Sequence, residues 1–306
     1  MIAAIGAFDG FHRGHQELLK RAAAGGKWGV VTFSSHPDVV LGSGDFKALF
    51  TIREQSALEK FFSVPEVRRI NFTRETADMA PSDFLNLISR EFGVTGVVVG
   101  EDFRFGRNRS GTCELLRNEC AGRGWSVEIV PDLSTDDRAL ISSTAIRRAV
   151  ALGEMRRAWE MLGYPFFYMS GVVRGKGRGR ALGFPTANVE LVSEKIEPAG
   201  GVYATLVSVG GKLRAGAANI GKNPTFGDVE RTSFEINLTD YRGDLYGKDL
   251  SIFLLDFIRP ERRFENTGDL AEQIARDANI AAQAAEDALL LHKPLFEKLE
   301  AVRPQV

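Results

Sequence analysis

The texture of this chain changes once, near Gly163-Tyr164-Pro165, and the change limits what each side can fold into. Ahead of it, short apolar strands alternate with helical stretches. Ile2–Phe8, Gly29–Phe33, Val67–Asn71, Gly96–Gly100 and Ser126–Val130 read as strands. His15–Ala24, Arg53–Phe62, Pro81–Glu91, Cys113–Ala121, Thr144–Leu152 and Glu154–Leu162 read as helices. Such alternation predicts an α/β domain: a parallel sheet with helices on both faces, whose ligands bind beyond the carboxyl ends of the strands. Past the change, strand follows strand: Phe166–Val173, Gly201–Val209, Lys212–Ile220, Thr232–Thr239 and Leu250–Phe257. Val209-Gly210-Gly211-Lys212 fits a two-residue hairpin turn, whose central residues both need positive φ. Closely spaced antiparallel strands predict a small all-β barrel. From Asp269 to about Leu299 the chain is Ala-rich, with Leu270, Ile274, Ala278, Ala281 and Ala285 on one face, which predicts a C-terminal helix packed on that barrel. The boundary is expected at 162/163.

A length of 306 residues suits two domains. The 39 basic and 40 acidic residues leave a formal net charge of −1. That balance gives no reason to expect nucleic acid or an anionic membrane as partner, so any anion site has to be built locally. Cys113 and Cys120 lie on one helix and match no C-x-x-C motif; two reduced thiols are expected. Neither a signal-peptide pattern nor an apolar run approaching the ~20 residues that span a bilayer is present, and a soluble cytoplasmic protein is the expectation. Because the chain opens almost directly on a strand, a few natural residues are expected to precede Met1.

Two phosphate-handling signatures stand far apart. In Phe8-Asp9-Gly10-Phe11-His12-Arg13-Gly14-His15, the two histidines follow a strand at the mouth of a helix. That location supplies unpaired backbone N–H groups and the positive end of the helix dipole, and both imidazoles can donate to phosphate oxygens there. Gly10 and Gly14 allow close backbone approach. Ile141-Ser142-Ser143-Thr144-Ala145-Ile146-Arg147 opens a later helix. One of its hydroxyl residues is expected to cap the helix, and Arg147, one turn in, can grip a triphosphate bidentately. Gly100-Glu101-Asp102-Phe103-Arg104-Phe105-Gly106 follows an apolar strand; Phe103 or Phe105 can either stack on a planar ring or pack in the core. Together these suit nucleotidyl transfer, in which an anionic acceptor attacks an α-phosphate and pyrophosphate leaves. Such an acceptor needs no general base, so positioning and charge neutralisation suffice.

The second signature begins with the cationic loop Arg174-Gly175-Lys176-Gly177-Arg178-Gly179-Arg180, which lacks the strand–GxxxxGK–helix context of a Walker A. Thr186 and Asn188 follow, two residues apart on an extended segment, and so face one side. With phosphate oxygens and water they can complete an octahedral Mg²⁺ shell. Transfer of a γ-phosphate to a hydroxyl benefits from a base. Glu235 alternates with Phe234 and Ile236; on spacing alone it reads as an ordinary solvent-facing strand glutamate.

Taken in order, F-D-G-F-H-R-G-H, G-E-D-F-R-F-G, I-S-S-T-A-I-R, G-R-A-L-G-F-P-T-A-N, G-V-Y-A, N-P-T-F, D-L-Y-G-K and F-I-R-P-E-R-R-F cover essentially the whole chain. In these motifs it resembles the bacterial bifunctional riboflavin kinase/FAD synthetase family. The resemblance implies a Rossmann-like nucleotidyltransferase domain over 1–162 and a riboflavin kinase barrel over 163–306. Riboflavin and ATP would give FMN, and FMN with a second ATP would give FAD and pyrophosphate. It implies that His12, His15, Ser142, Ser143 and Arg147 meet ATP phosphates, with Gly6, Phe8, Asp9, Gly10, Gly14, Gly100, Asp102 and Thr144 completing that ATP site. Gly175, Lys176, Gly177, Arg178, Gly179 and Arg180 would bind the kinase ATP. Phe105, Arg259 and Glu261 would contact flavin, Thr186 and Asn188 would hold Mg²⁺, and Glu235 would be the kinase base. Asn237 stands where the family often has a histidine, and Ser34-Ser35-His36-Pro37 lacks a proline common before this His-Pro pair.

Two other readings compete: a protein with one working half, and a flavin- or nucleotide-binding regulator without turnover. Binding alone would not need His12, His15, Arg147, Thr186, Asn188 and Glu235 together.

Overall fold

The computed structural model describes residues 1–42, 46–174, 184–223, 231–241 and 243–301. The chain forms two compact units, Met1–Ala48 with Leu58–Ser143, and Leu49–Ala57 with Thr144–Val306.

In the first unit, β1 (Ile2–Ile5), β2 (Trp28–Phe33), β3 (Val67–Ile70), β4 (Gly96–Gly100) and β5 (Ser126–Val130) form a sheet in the order β3-β2-β1-β4-β5. Every pairing is parallel. The central strands are continuous apolar runs because helices cover both faces; Ala3, Ala4, Val30, Val31, Val97, Val98 and Val99 are all buried. Helices α1 (Arg13–Ala24), α2 (Pro37–Val40), α4 (Arg74–Ala77), α5 (Pro81–Phe92) and α6 (Cys113–Arg123) belong to this unit; α3 (Ile52–Phe61) begins within Leu49–Ala57. From β1 the chain runs outward through β2 and β3, then returns to lay β4 on the other side of β1. The strand order therefore reverses at β1/β4, which makes the carboxyl ends of these two strands the natural ligand crevice.

β1 stops at Ile5, three residues short of the expected Phe8. Phe8 (φ 51°), Gly10 (φ 91°) and Phe11 (φ 40°) take left-handed backbone, which no strand accommodates. The chain turns sharply there instead.

In the second unit, α7 (Ser143–Ala151, from Thr144 onward) and α8 (Met155–Leu162) precede a closed barrel. Its strands are β6 (Phe167–Val173), β7 (Thr186–Val189), β8 (Gly201–Val209), β9 (Lys212–Asn223), β10 (Arg231–Leu238) and β11 (Asp249–Arg259), in the order β10-β7-β6-β11-β8-β9. The expected hairpin turn joins β8 to β9, with Gly210 and Gly211 at φ 56° and 77°. Phe234 lies opposite Val189 and Ile220, and Ile236 opposite Ala187 and Ala218. These six are buried and line the core. Residues one step away along each strand point to the opposite face.

The final helix, α9 (Thr267–Ala301), packs over β8, β9 and β11, which explains why β8 is buried along its whole length. Its regular geometry breaks at His292 (φ −134°), two residues before Pro294. Proline cannot donate to the helix ladder and crowds the preceding turn. Asp277 on α9 is buried and receives the Arg259 guanidinium from β11, with Nη2 to Oδ2 at 2.7 Å.

The second unit packs more than its barrel strands together. α8 lies against β11 and buries Met155, Ala158, Met161 and Leu162. The segment Leu49–Ala57 contributes Glu54, whose Oε2 accepts from Lys195 Nζ at 2.7 Å. Glu54 also accepts from the backbone N–H groups of Thr51 and Met169. Lys195 donates to Phe167 O as well, and its ammonium lies 4.1–5.7 Å from the ring centroids of Phe50, Phe166, Phe167 and Tyr168. Burial, and then the Glu54 carboxylate, push the Tyr168 phenol well up. The pair is 2% and 1% exposed, so removing one partner leaves a buried charge uncompensated.

Glu54→Gln is therefore expected to lower the unfolding free energy by about 3–5 kcal/mol. Glu54→Gln combined with Lys195→Met should recover much of that loss. Urea unfolding of both variants checks this; a single variant as stable as the parent would show that the pair contributes nothing.

Candidate active sites

In the first unit the loop from Gly6 to His12 leaves the carboxyl end of β1 and enters α1. Its turn is held by packing. Phe8 and Phe11 stack with centroids 5.3 Å apart, Phe8 also contacts His15, and Gln16 Nε2 donates to Phe11 O at 2.8 Å. Two bulky residues in left-handed backbone are costly, and such strain persists only where surrounding contacts impose it.

His12 is the N-cap of α1: its Nδ1 accepts from the backbone N–H of His15. That bond makes Nδ1 an acceptor and puts the ring proton on Nε2. The two imidazoles stack at 3.7 Å, and a Cβ at Gly14 would sit 3.1 Å from the His12 ring. His15 is half-buried, and its Nδ1 is shut off from solvent without a hydrogen-bond partner. Burial, and next the neighbouring His12, hold its pKa well below 6.5. His15 is thus neutral near pH 7 and offers a polar N–H rather than a full charge.

Ser143 Oγ donates to Asp9 O at 2.8 Å and ties the start of α7 to this loop. Its hydroxyl is committed there, and Ser142 occupies the position preceding the helix. Thr144 and Arg147 belong to the second compact unit, where Arg147 Nη2 donates to Thr144 Oγ1 at 3.2 Å.

β4 delivers the neighbouring loop to the same sheet edge. A Cβ at Gly100 would stand 3.0 Å from Asp102 Oδ1. Phe105, expected to meet flavin, is 6% exposed and packs in the core against Phe84 and Phe103. Gly111 leaves room for its ring, since a Cβ there would lie 2.5 Å away. Phe103, stacked on Phe105, is the half-buried member. The sequence reading passed over Cys113 as a plain thiol. Its Sγ lies 3.4–3.8 Å from the carbonyls of Gly100, Glu101 and Phe103 and closes this loop.

In the second unit, β7 and β10 bring Thr186, Asn188 and Glu235 together. Asn188 lies directly opposite Glu235, and Thr186 Oγ1 donates to Glu235 Oε2 at 3.1 Å. Glu235 is half-buried rather than solvated. Asn237 turns away, donating through Nδ2 to Pro185 O at 3.0 Å. On the other flank, Asn219 of β9 lies opposite Glu235, and its Nδ2 donates to Glu261 Oε1 at 3.3 Å. Sequence reasoning missed Asn219, although alternation with Ala218 and Ile220 already marked it as facing away from the core. Arg259, expected near flavin, has its guanidinium engaged by Asp277. Gly175 to Arg180 lie outside the described residues. Among the described residues no cluster of three or more His, Cys, Asp or Glu stands ready to hold a metal; the oxygen donors Thr186 and Asn188 are the hard type that Mg²⁺ takes alongside phosphate and water.

The model of the FAD synthetase family matches residues 1–145, and the model of the riboflavin kinase family matches residues 162–285. The bifunctional riboflavin kinase/FMN adenylyltransferase of Listeria monocytogenes is 35% identical over 283 residues, covering 90% of each chain. The chain belongs to this bifunctional family. Its members from Bacillus subtilis and Escherichia coli K12 are 34% and 35% identical over 285 residues, again with 90% of each chain covered. A solved structure described as a macrolide-efflux protein from Streptococcus pneumoniae superposes with a TM-score of 0.85 at 31% identity, covering 92% of this chain and 93% of its own. Among the described residues no helix is long and apolar enough to cross a membrane.

The lowered pKa of His15 carries a pH signature. The unfolded chain binds a proton at His15 near pH 6.5 and the folded chain does not, so this contribution is present above pH 6.5 and is lost as pH falls below it. The slope in that window is up to about 1.4 kcal/mol per pH unit. His15→Gln should flatten the dependence, measured by urea unfolding between pH 5 and 7.5. The same variant should lower FMN-to-FAD turnover roughly 10²–10³-fold. Unchanged turnover would remove His15 from the site.

Proposed function

We propose that the two steps of this bifunctional enzyme are divided between the two sites described above. ATP and riboflavin give FMN at the barrel site, and FMN with a second ATP gives FAD and pyrophosphate at the sheet site. The functional domains in this reading are residues 1–162 and 163–306, with Thr144 and Arg147 counted among the first domain's phosphate-binding residues. The observation that carries the reading is the constellation of Thr186, Asn188 and Glu235 on adjacent barrel strands.

The two acceptors differ, and the sites differ with them. Riboflavin offers a neutral hydroxyl, whose proton has to leave as the new phosphate ester forms. Glu235 is the carboxylate placed to take it. Thr186 Oγ and Asn188 Oδ1 are the protein oxygens that would hold Mg²⁺, which when bound neutralises charge on the ATP phosphates. FMN offers an anionic phosphate with no proton to remove. There the work falls to donors: His12 Nε2–H, the N–H of His15, the amino end of α1 and Arg147. The basic loop Gly175, Lys176, Gly177, Arg178, Gly179 and Arg180 completes the kinase nucleotide site in this reading, and Glu261 faces flavin. Phe103 meets the flavin ring before Phe105 does. Small molecules are then the only partners the reactions need. The net charge of −1 gives no electrostatic case for nucleic acid, and a cytoplasmic location suits two steps that both consume ATP.

Separate assays of riboflavin to FMN and of FMN to FAD test the division. Glu235→Gln is expected to slow the first step roughly 10²–10⁴-fold and to leave the second near the parent rate. Thr186→Ala and Asn188→Ala should also slow the first step, with partial recovery at raised Mg²⁺. Near-normal FMN production by Glu235→Gln would show that another group takes the proton.

A further inference from the structure

The kinase reading gives no role to Asn219, which lies on the Glu235 face. Strand pairing puts Asn188, Glu235 and Asn219 in one row across β7, β10 and β9. Directly opposed residues share a face, with Cβ atoms about 4.5–5.5 Å apart. Asn219 is therefore the immediate cross-strand neighbour of Glu235, opposite the flank taken by Asn188.

Its carboxamide is engaged on the far side. Nδ2 donates to Glu261 Oε1 at 3.3 Å. Glu261 comes from the segment after β11 and rests where β9 has no side chain: a Cβ at Gly221 would lie 1.9 Å from Glu261 Oε1. Gly200 forms the next wall, with its Cβ position 3.8 Å from Glu261 Oε2. Gly221 and Asn219 are two residues apart and share a face of β9. The strand thus presents an amide donor and, beside it, a recess that admits a carboxylate. Asn237 does not serve Glu235 in this way, since its amide is committed to Pro185 O.

We propose that Asn219 is a positioning residue of the kinase site, holding the Glu261 carboxylate in the Gly221 recess so that the riboflavin hydroxyl is presented to Glu235. The proposal rests on the reading that the barrel site phosphorylates riboflavin. Riboflavin carries ribityl hydroxyls and a ring imide N–H, all donors that a fixed carboxylate accepts. One carboxylate anchors the acceptor, the other takes its proton, and a neutral amide separates the two.

Steady-state FMN formation with riboflavin varied at saturating ATP and Mg²⁺ tests this, on Asn219→Ala, Asn219→Asp and Gly221→Ala, with thermal melting of each. Asn219→Ala and Gly221→Ala are expected to raise KM for riboflavin roughly tenfold with kcat little changed, the mark of lost binding rather than lost chemistry. Asn219→Asp should be worse than Asn219→Ala, because it keeps the size and sets like charge against Glu261. A packing role predicts the reverse order, the isosteric variant being the milder, and that order would overturn the proposal. Riboflavin KM unchanged in Gly221→Ala would overturn it too; this variant acts on the Glu261 recess alone and still decides if Asn219→Ala melts early. Glu235→Gln run beside them separates the two ideas. Full activity there removes Glu235 as base, whereas the KM series judges Asn219.

Discussion

A closed sheet has no edge strands, and closing this one places β10 between β7 and β9. Residues that meet on its outer row follow from that closure. Asn188 comes from before β10 and Asn219 from the strand preceding it, yet both lie opposite Glu235. Because side chains alternate, the same closure sends Phe234 and Ile236 inward against Val189, Ile220, Ala187 and Ala218. Core and site are two faces of one pairing. A one-residue slip of β10 would bury Glu235 and expose Phe234, so the hydrophobic face protects the register on which the polar row depends.

The first unit builds its proposed anion site by other means. Its sheet is parallel, and its functional groups come from loops at the strand ends rather than from strand faces. The loop after β1 is contorted through Phe8 and Phe11, capped by His12 and tied by Ser143 to the start of α7. Donor geometry there is set by backbone strain and a helix terminus, whereas in the barrel it is set by cross-strand neighbours. In the proposed division of the two steps, this difference matches the acceptors: an anion would be met by fixed N–H donors, a neutral hydroxyl by a carboxylate.

Periodicity carried most of the architecture. Five apolar runs separated by helical stretches became five parallel strands, and the Gly210-Gly211 pair became the turn of the β8–β9 hairpin. Motif chemistry placed His12 and His15 at a helix mouth and Thr186 and Asn188 on one strand face. What local pattern does not encode is partnership at a distance. Glu235 looked solvated until β7 and β9 were beside it, and Asn219, set between apolar neighbours, drew no reading at all. Lys195 and Glu54 are 141 residues apart, and neither advertises the other. Phe105 is apolar in either role, so its burial among Phe84 and Phe103 was not legible in the sequence. The early end of β1 was not legible because two of the loop's three left-handed residues, Phe8 and Phe11, are bulky aromatics that signal no turn.

The Glu54–Lys195 pair has a consequence for how such a chain can be rearranged. The barrel's folding unit is discontinuous: nine residues, Leu49–Ala57, are borrowed from within the stretch that encodes the parallel sheet. A single crossover near residue 162, joining this barrel to an unrelated front half, would strand a lysine among the three remaining rings of Phe166, Phe167 and Tyr168, with both Glu54 and Phe50 gone. Recombination that keeps the barrel sound has to carry two separated segments at once, or replace Lys195 with an apolar residue in the same event. The two halves are therefore less interchangeable as genetic cassettes than their separate chemistries suggest.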